Sequence, residues 1–178
     1  MNFFIQFLTY FRILSAPLIF TLVTFFDFYG WALFIFFIAS ISDYWDGFLA
    51  RKFNLESEIG AILDPIADKV LITFLILSLS VELSSLYIGF FGGLMLAREF
   101  WVGGLRDFNS RNGKMGATKV TFLAKIKTSI QFLTFASYLF GLYLNNSLII
   151  FLSNFFLFLA LIITLKTGLE YTISTFKK

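Results

Sequence analysis

Long apolar stretches alternate along the chain with short polar clusters, and the clusters are of two kinds. Residues 13–50, 70–97 and 128–165 hold no Lys or Arg, and each of these stretches has one polar break near its middle: Asp27 to Gly30, Glu82 to Ser85, and Asn145 to Ser147. The other clusters are basic, with Arg51-Lys52, then Arg106, Arg111, Lys114 and Lys119, and finally Lys177-Lys178. At 1.5 Å per helical residue and about 20 residues per span, each stretch has room for two antiparallel spans joined by its polar break. The pattern predicts helices near 3–26, 30–53, 57–81, 85–107, 119–143 and 147–171. Basic residues concentrate on the cytoplasmic side of membrane proteins, so the basic-free turns are expected outside and both termini inside. The expectation is an all-α integral membrane protein with six transmembrane helices and both termini cytoplasmic.

Composition agrees with that reading. The chain is 58% hydrophobic and 14% charged, against about 25% charged in a soluble domain, and its mean hydropathy is +0.85. The 27 Phe read as lipid-facing and helix-packing bulk. Trp31 and Trp101 fall near expected span ends, where an amphipathic ring is well placed. Arg12 lies midway along the first segment, so that segment is also compatible with a start lying in the cytoplasmic interface. There is no internal repeat or linker, and residues 1–178 read as a single domain. The first apolar run lacks the basic leader and small-residue cleavage site of a signal peptide.

Two absences narrow the chemistry. The chain has no Cys and no His. Thiolate nucleophiles, disulfides, imidazole bases and sulfur- or imidazole-ligated metals are therefore excluded. A base must be a carboxylate, Lys or Tyr, and a metal site must use oxygen, which suits Mg²⁺, Mn²⁺ or Ca²⁺. A net charge of +3 is too small to argue for nucleic acid.

Four aspartates sit in apolar surroundings. Asp43 and Asp46 lie in Ile41-Ser-Asp-Tyr-Trp-Asp-Gly-Phe-Leu-Ala-Arg51, and Asp64 and Asp68 in Gly60-Ala-Ile-Leu-Asp-Pro-Ile-Ala-Asp-Lys69. A carboxylate at the centre of a membrane helix costs about 2.5–3.5 kcal/mol on insertion scales, which makes it a functional marker. Asp43, Asp46, Gly47 and Ala50 share one helical stripe, and Gly60, Asp64 and Asp68 share another on the next helix. Four charges in one low-dielectric cleft repel strongly, and two divalent ions would neutralise them and clamp a diphosphate. Gly47, Ala50 and Gly60 leave space for a ligand, Arg51 offers a fork to phosphate, and Pro65 is expected to bend the third helix. The plain alternatives are small-residue helix packing, Arg51-Lys52 as topology anchors, and an ion path in a transporter.

Together the residues spell Asp43-x2-Asp46-Gly47-x2-Ala50-Arg51-x8-Gly60-x3-Asp64-x3-Asp68, which resembles without departure the signature of the CDP-alcohol phosphatidyltransferase family. Asp64-Pro-Ile-Ala-Asp-Lys69, Arg98-Glu-Phe-Trp-Val-Gly-Gly-Leu-Arg106, Lys125-Ile-Lys-Thr-Ser-Ile-Gln131, and Leu8-Thr9-x2-Arg12 followed by Pro17 look like the bacterial phosphatidylglycerophosphate synthase branch. Gln6 departs from that branch, which usually has Asn there. The resemblance implies six transmembrane helices, a homodimer in the inner (cytoplasmic) membrane, and an active site facing the cytoplasm. It implies CDP-diacylglycerol as donor and glycerol 3-phosphate as acceptor. Asp43, Asp46, Asp64 and Asp68 would bind two divalent metals, Mg²⁺ or Mn²⁺. Asp43, Asp46, Gly47, Ala50, Arg51, Gly60 and Asp64 would surround the CDP moiety, and Asp68 would be the general base. Thr9 and Arg12 are further candidates.

The acceptor pocket is read from the remaining cations. Arg98, Arg106, Lys125 and Lys127 fall on the cytoplasmic side of the fourth and fifth helices and are assigned to an acceptor phosphate. Glu99 is expected to point away from Arg98, which leaves Arg98 in need of an anion. Arg111, Lys114 and Lys119 read as ordinary loop cations. Serine or free inositol would not need such a cluster. Inositol phosphate would, and phosphatidylglycerol stays open as an acceptor. The competing class is a divalent-cation transporter, disfavoured because such sites lie near the midplane between repeated, broken helices.

Overall fold

The computed structural model describes the backbone of residues 2–53, 58–114, 116 and 122–177, and the side chains there except at 2–6, 43–53, 58, 59, 61, 62 and 125. These residues form α1 (Asn2–Thr24), α2 (Tyr29–Phe53), α3 (Glu58–Glu82), α4 (Leu86–Arg111), α5 (Phe122–Tyr143) and α6 (Ser147–Phe176). The all-α expectation holds for the described residues, and each expected polar break is a turn.

The turns explain themselves chemically. Asp27, Ser84 and Asn145 take φ of 55°, 46° and 49°, the left-handed conformation that ends a helix. After Ser84 and Asn145 the chain closes back on the helix just finished, with Ser85 N donating to Ser80 O at 3.0 Å and Asn146 N to Gly141 O at 2.9 Å. Those same residues then cap the next helix. The Ser85 side chain accepts from Ile88 N, and that of Asn146 accepts from Leu148 N and Ile149 N. One residue thus ends one helix and starts another, which is how three residues reverse the chain.

The principal helix contacts close into a ring in the order α1–α3–α4–α6–α5–α2 and back to α1. Each sequential hairpin contributes one adjacent pair. The core within it includes Ile19 and Val23 of α1, Phe36 of α2, Leu75 and Leu79 of α3, Met95 of α4, Phe135 and Tyr138 of α5, and Leu157 of α6. Gly92 lets α4 approach α3 closely, because a Cβ there would meet Ile76 Cγ2 at 2.4 Å. The outside is apolar too: Leu14, Phe25, Leu86, Phe151 and Leu169 are well exposed. Among the described phenylalanines only Phe36 and Phe135 are buried, as expected if Phe is mainly surface bulk. Among the described residues, two helices are long and apolar enough to cross a membrane, α1 through Phe7–Thr24 and α6 through Ser147–Phe176.

Two local expectations change. The helix α4 runs to Arg111, where Arg111 pairs with Asp107 one turn earlier, so Trp101 lies well inside it and its indole donates to Thr172 at 2.9 Å. The helix α6 runs on to Phe176 because Tyr171 and Thr175 are buried in its final turns. The helices α1 and α3 each run on through a proline, Pro17 and Pro65.

Candidate active site

The carboxylates of α3 are met from α1. Thr9 Oγ1 donates to Asp64 Oδ1 at 2.8 Å, and Arg12 Nη1 donates to Asp68 Oδ1 at 3.0 Å. The donors are three residues apart on one helix and the acceptors four apart on the other, so two facing stripes bond rung by rung. Arg12 is completely buried, whereas the Asp68 side chain is 50% exposed. A buried cation needs a nearby anion, and Asp68 supplies it while keeping an open side. Thr9 and Arg12 therefore belong to the carboxylate site.

The open side of Asp68 faces a cavity of ≈ 480 Å³. Arg12, Asp68, Ser40, Thr128, Ser129 and Gln131 give it polar groups, and Phe36, Leu71, Ile72, Phe132, Leu133 and Phe135 give it apolar walls. It thus runs from Asp68 of α3 to the face of α5 just beyond Lys127. Lys69 turns the other way, with its ammonium 5.1 Å from the centre of the Phe100 ring, in space that a Cβ on Gly103 would fill.

A second charged cluster joins α4, α5 and α6. Arg98 is 7% exposed. Its Nη2 donates to Thr167 Oγ1 at 2.6 Å and its Nη1 to Glu99 Oε1 at 3.2 Å, and its guanidinium lies 5.8 Å from the Tyr171 ring centre. Lys127, also buried, donates to the same Glu99 oxygen. The Arg106 guanidinium lies 5.9 Å from the same ring centre and makes no ion pair among the described residues. The expectation that Glu99 points away from Arg98 is therefore corrected. On the helix their Cα positions diverge, but Arg98 is long enough to fold back, and burial rewards it for doing so. Gly168 makes that path possible, since a Cβ there would lie 2.9 Å from Arg98 Cγ.

The structure brings together Thr9, Arg12, Asp64 and Asp68 in one place, and Arg98, Arg106 and Lys127 in another. Gly60 lies one turn before Asp64 on α3. The side chains of Asp43, Asp46, Ala50, Arg51 and Lys125, with Gly47 and Gln6, lie outside the described residues, although α2 is helical through 43–51. Among the described residues no three carboxylate, His or Cys side chains converge. The oxygen donors that are described, Asp64 and Asp68 one turn apart on α3, are of the type and spacing that a hard divalent ion takes. Missing from the sequence reading were Thr167 and Tyr171 on α6 and the hydroxyls and amide of Thr128, Ser129 and Gln131. The signal for α6 was present, because Thr164, Thr167, Tyr171 and Thr175 recur on one face of a very apolar helix and are all buried.

Comparison with known proteins bears on this arrangement. The family model described as CDP-alcohol phosphatidyltransferase matches residues 5–166. The CDP-diacylglycerol--glycerol-3-phosphate 3-phosphatidyltransferase of Salmonella choleraesuis is 33% identical over 168 residues, covering 92% of this chain and 90% of the relative. Proteins of the same name from Shigella flexneri serotype 5b and Escherichia coli K12 are each 32% identical over the same shares. With the family signature, the α1–α3 carboxylate site and a match over nearly the whole length, the chain belongs to the CDP-alcohol phosphatidyltransferase family.

Proposed function

We propose that this protein transfers the phosphatidyl group of CDP-diacylglycerol to the 1-hydroxyl of glycerol 3-phosphate, giving phosphatidylglycerol phosphate and CMP. The observation that carries the reading is the pairing of two sites of opposite sign at one end of the helices. Acidic groups of α3 suit a metal-bound diphosphate, and buried cations of α4 and α5 suit a phosphorylated acceptor. The relatives named above carry the name of this reaction.

Asp43, Asp46, Asp64 and Asp68 would hold two divalent ions, Mg²⁺ or Mn²⁺, which when bound neutralise the donor diphosphate and the departing CMP. Gly47, Ala50 and Gly60 leave room for the CDP moiety, with Arg51 beside it. Thr9 and Arg12 hold Asp64 and Asp68 in place. The acceptor's 1-hydroxyl oxygen bonds to the lipid-side phosphorus as the bond from that phosphorus to the CMP oxygen breaks, and the hydroxyl proton passes to Asp68. Arg98, Arg106, Lys125 and Lys127 hold the acceptor's phosphate away from the reacting oxygen. No covalent intermediate with the protein is required, since positioning and charge stabilisation dominate phosphoryl transfer.

The reading extends to the whole chain as one membrane domain, residues 1–178. It would span the inner membrane six times as a homodimer, with both termini and the site on the cytoplasmic side. A site at the bilayer edge lets the acyl chains stay in lipid while the nucleotide enters a polar cleft. Purified protein incubated with labelled CDP-diacylglycerol, Mg²⁺ or Mn²⁺, and a panel of acceptors tests the reaction. Glycerol 3-phosphate should be converted to a labelled phosphatidyl product. Conversion only of inositol phosphate or phosphatidylglycerol would replace the acceptor, and ion flux without transfer would replace the class.

A further inference from the structure

Arg98 and Lys127 come from different helices, yet both donate to one atom, Glu99 Oε1. The charged groups acting on Lys127 are Glu99, Arg98 and Arg106. Two cations thus share one carboxylate, and a third, Arg106, is near enough to act on both of them. Arg98 and Lys127 are buried, whereas Glu99 is 21% exposed, so Glu99 is the member of this ion-paired trio with a path to water, on the side where Arg106 is exposed. Arg98 Nε is buried with no hydrogen-bond partner among the described residues, and the cluster therefore retains unused capacity for an anion.

We propose that Glu99 is a specificity-determining residue of the acceptor site. Its carboxylate stands where an oxygen of the acceptor's phosphate binds, and only an anion carrying more charge than a carboxylate displaces it. This rests on the reading of Arg98, Arg106 and Lys127 as the phosphate site. Buried cations left without an anion are strongly disfavoured, so the ligand-free site fills itself with its own carboxylate. A singly charged competitor gains nothing by exchanging one unit charge for another. A phosphate monoester carries about −1.5 to −2 near neutral pH and offers three acceptor oxygens, enough to hold all three cations and reach Arg98 Nε. Glu99 then swings towards water. The internal carboxylate weakens binding of every anion, and of monoanions most.

Steady-state kinetics of Glu99→Gln test this, with each substrate varied in turn and with acetate and inorganic phosphate as competitors. The amide keeps the shape and removes the charge. The KM for glycerol 3-phosphate should fall about fivefold or more, with little change in the KM for CDP-diacylglycerol. Acetate, nearly inert against the wild type, should become a competitive inhibitor against glycerol 3-phosphate at roughly tenfold lower concentration. A higher KM for glycerol 3-phosphate would overturn the proposal, because Glu99 would then be holding the cations in place; unchanged acetate sensitivity would also overturn it. Should Glu99→Gln not survive purification, Glu99→Asp is one methylene shorter and loosens the same contact. Its KM for glycerol 3-phosphate should shift downwards, and a rise counts against displacement. Lys127→Gln separates the two layers of the argument. If it leaves the KM for glycerol 3-phosphate unchanged, the phosphate site itself is misplaced. If it raises that KM while Glu99→Gln does not lower it, only the role of Glu99 fails.

Discussion

Asp64 and Asp68 sit one turn apart on α3, and α1 meets them with different chemistry. A neutral hydroxyl meets Asp64 and a guanidinium meets Asp68. That difference accords with the proposed roles, Asp64 as a metal ligand and Asp68 as a metal ligand that also takes the acceptor's proton. Asp68→Asn should lower kcat by 100-fold or more, about the contribution of a positioned general base, while CDP-diacylglycerol still binds the purified protein. Near-full activity in that variant would remove the base assignment. Arg106 has a ring beside it and no ion pair among the described residues, so Arg106→Ala tests the acceptor pocket from its exposed side. A charged hydrogen bond is worth about 1.5–3 kcal/mol, which corresponds to a KM for glycerol 3-phosphate raised roughly tenfold to a hundredfold. Equal losses for both substrates would mean a structural or nucleotide-binding role. The four aspartates stood out in the sequence because carboxylates are rare in apolar helices, and Asp64 and Asp68 are the two whose side chains are described. Glu99 was not, because helical spacing directs attention to neighbours three and four residues away, and its contact with Arg98 depends on a long side chain folding back.

At the level of elements, the hairpins were readable from three polar breaks, but the partners of each helix were not. The ring order pairs α1 with α3, α2 with α5 and α4 with α6, and all three pairings skip sequence neighbours. Nothing in an almost uniformly apolar helix marks which face meets which partner, since outward positions are as apolar as inward ones. The paired glycines of α4 show the limit. Gly92 and Gly93 look equivalent as a sequence, yet a Cβ on Gly92 would strike the branched Ile76, at 2.4 Å from Cγ2, and one on Gly93 would meet nothing within 4 Å. Gly92→Ala should therefore destabilise the α3–α4 contact by about 1–3 kcal/mol, the usual cost of overpacking. Gly93→Ala should be neutral or stabilising, because Ala is favoured over Gly in a helix by about 0.8–1 kcal/mol. Thermal unfolding of both variants in the same detergent checks the pair. Equal losses would mean that α4 is rotated from the orientation described.

For the whole molecule, the proposed reaction depends on which side of the membrane the site faces. The turns 25–28, 83–85 and 144–146 are free of Lys and Arg and lie together at the end of the hairpins away from Asp64, Asp68 and Glu99. Charge asymmetry of this kind orients membrane proteins with basic ends in the cytoplasm. The active site would then share a compartment with soluble nucleotide and phosphorylated acceptor. The native chain has no cysteine, so single thiols can be introduced against a silent background. Phe26→Cys, Leu86→Cys and Leu148→Cys place a thiol on exposed positions beside the three turns, and Asn112→Cys places one at the end of α4. In intact cells a membrane-impermeant maleimide should label the first three and spare Asn112→Cys, which should react only after permeabilisation. Each variant should keep transferase activity, which ensures that the labelled population is the folded one. Labelling of Asn112→Cys from outside would put the carboxylates and the basic cluster on the wrong side for soluble substrates, and the proposed reaction would fail with it. Labelling at one turn but not the other two would leave the site's side intact and revise only the number of spans.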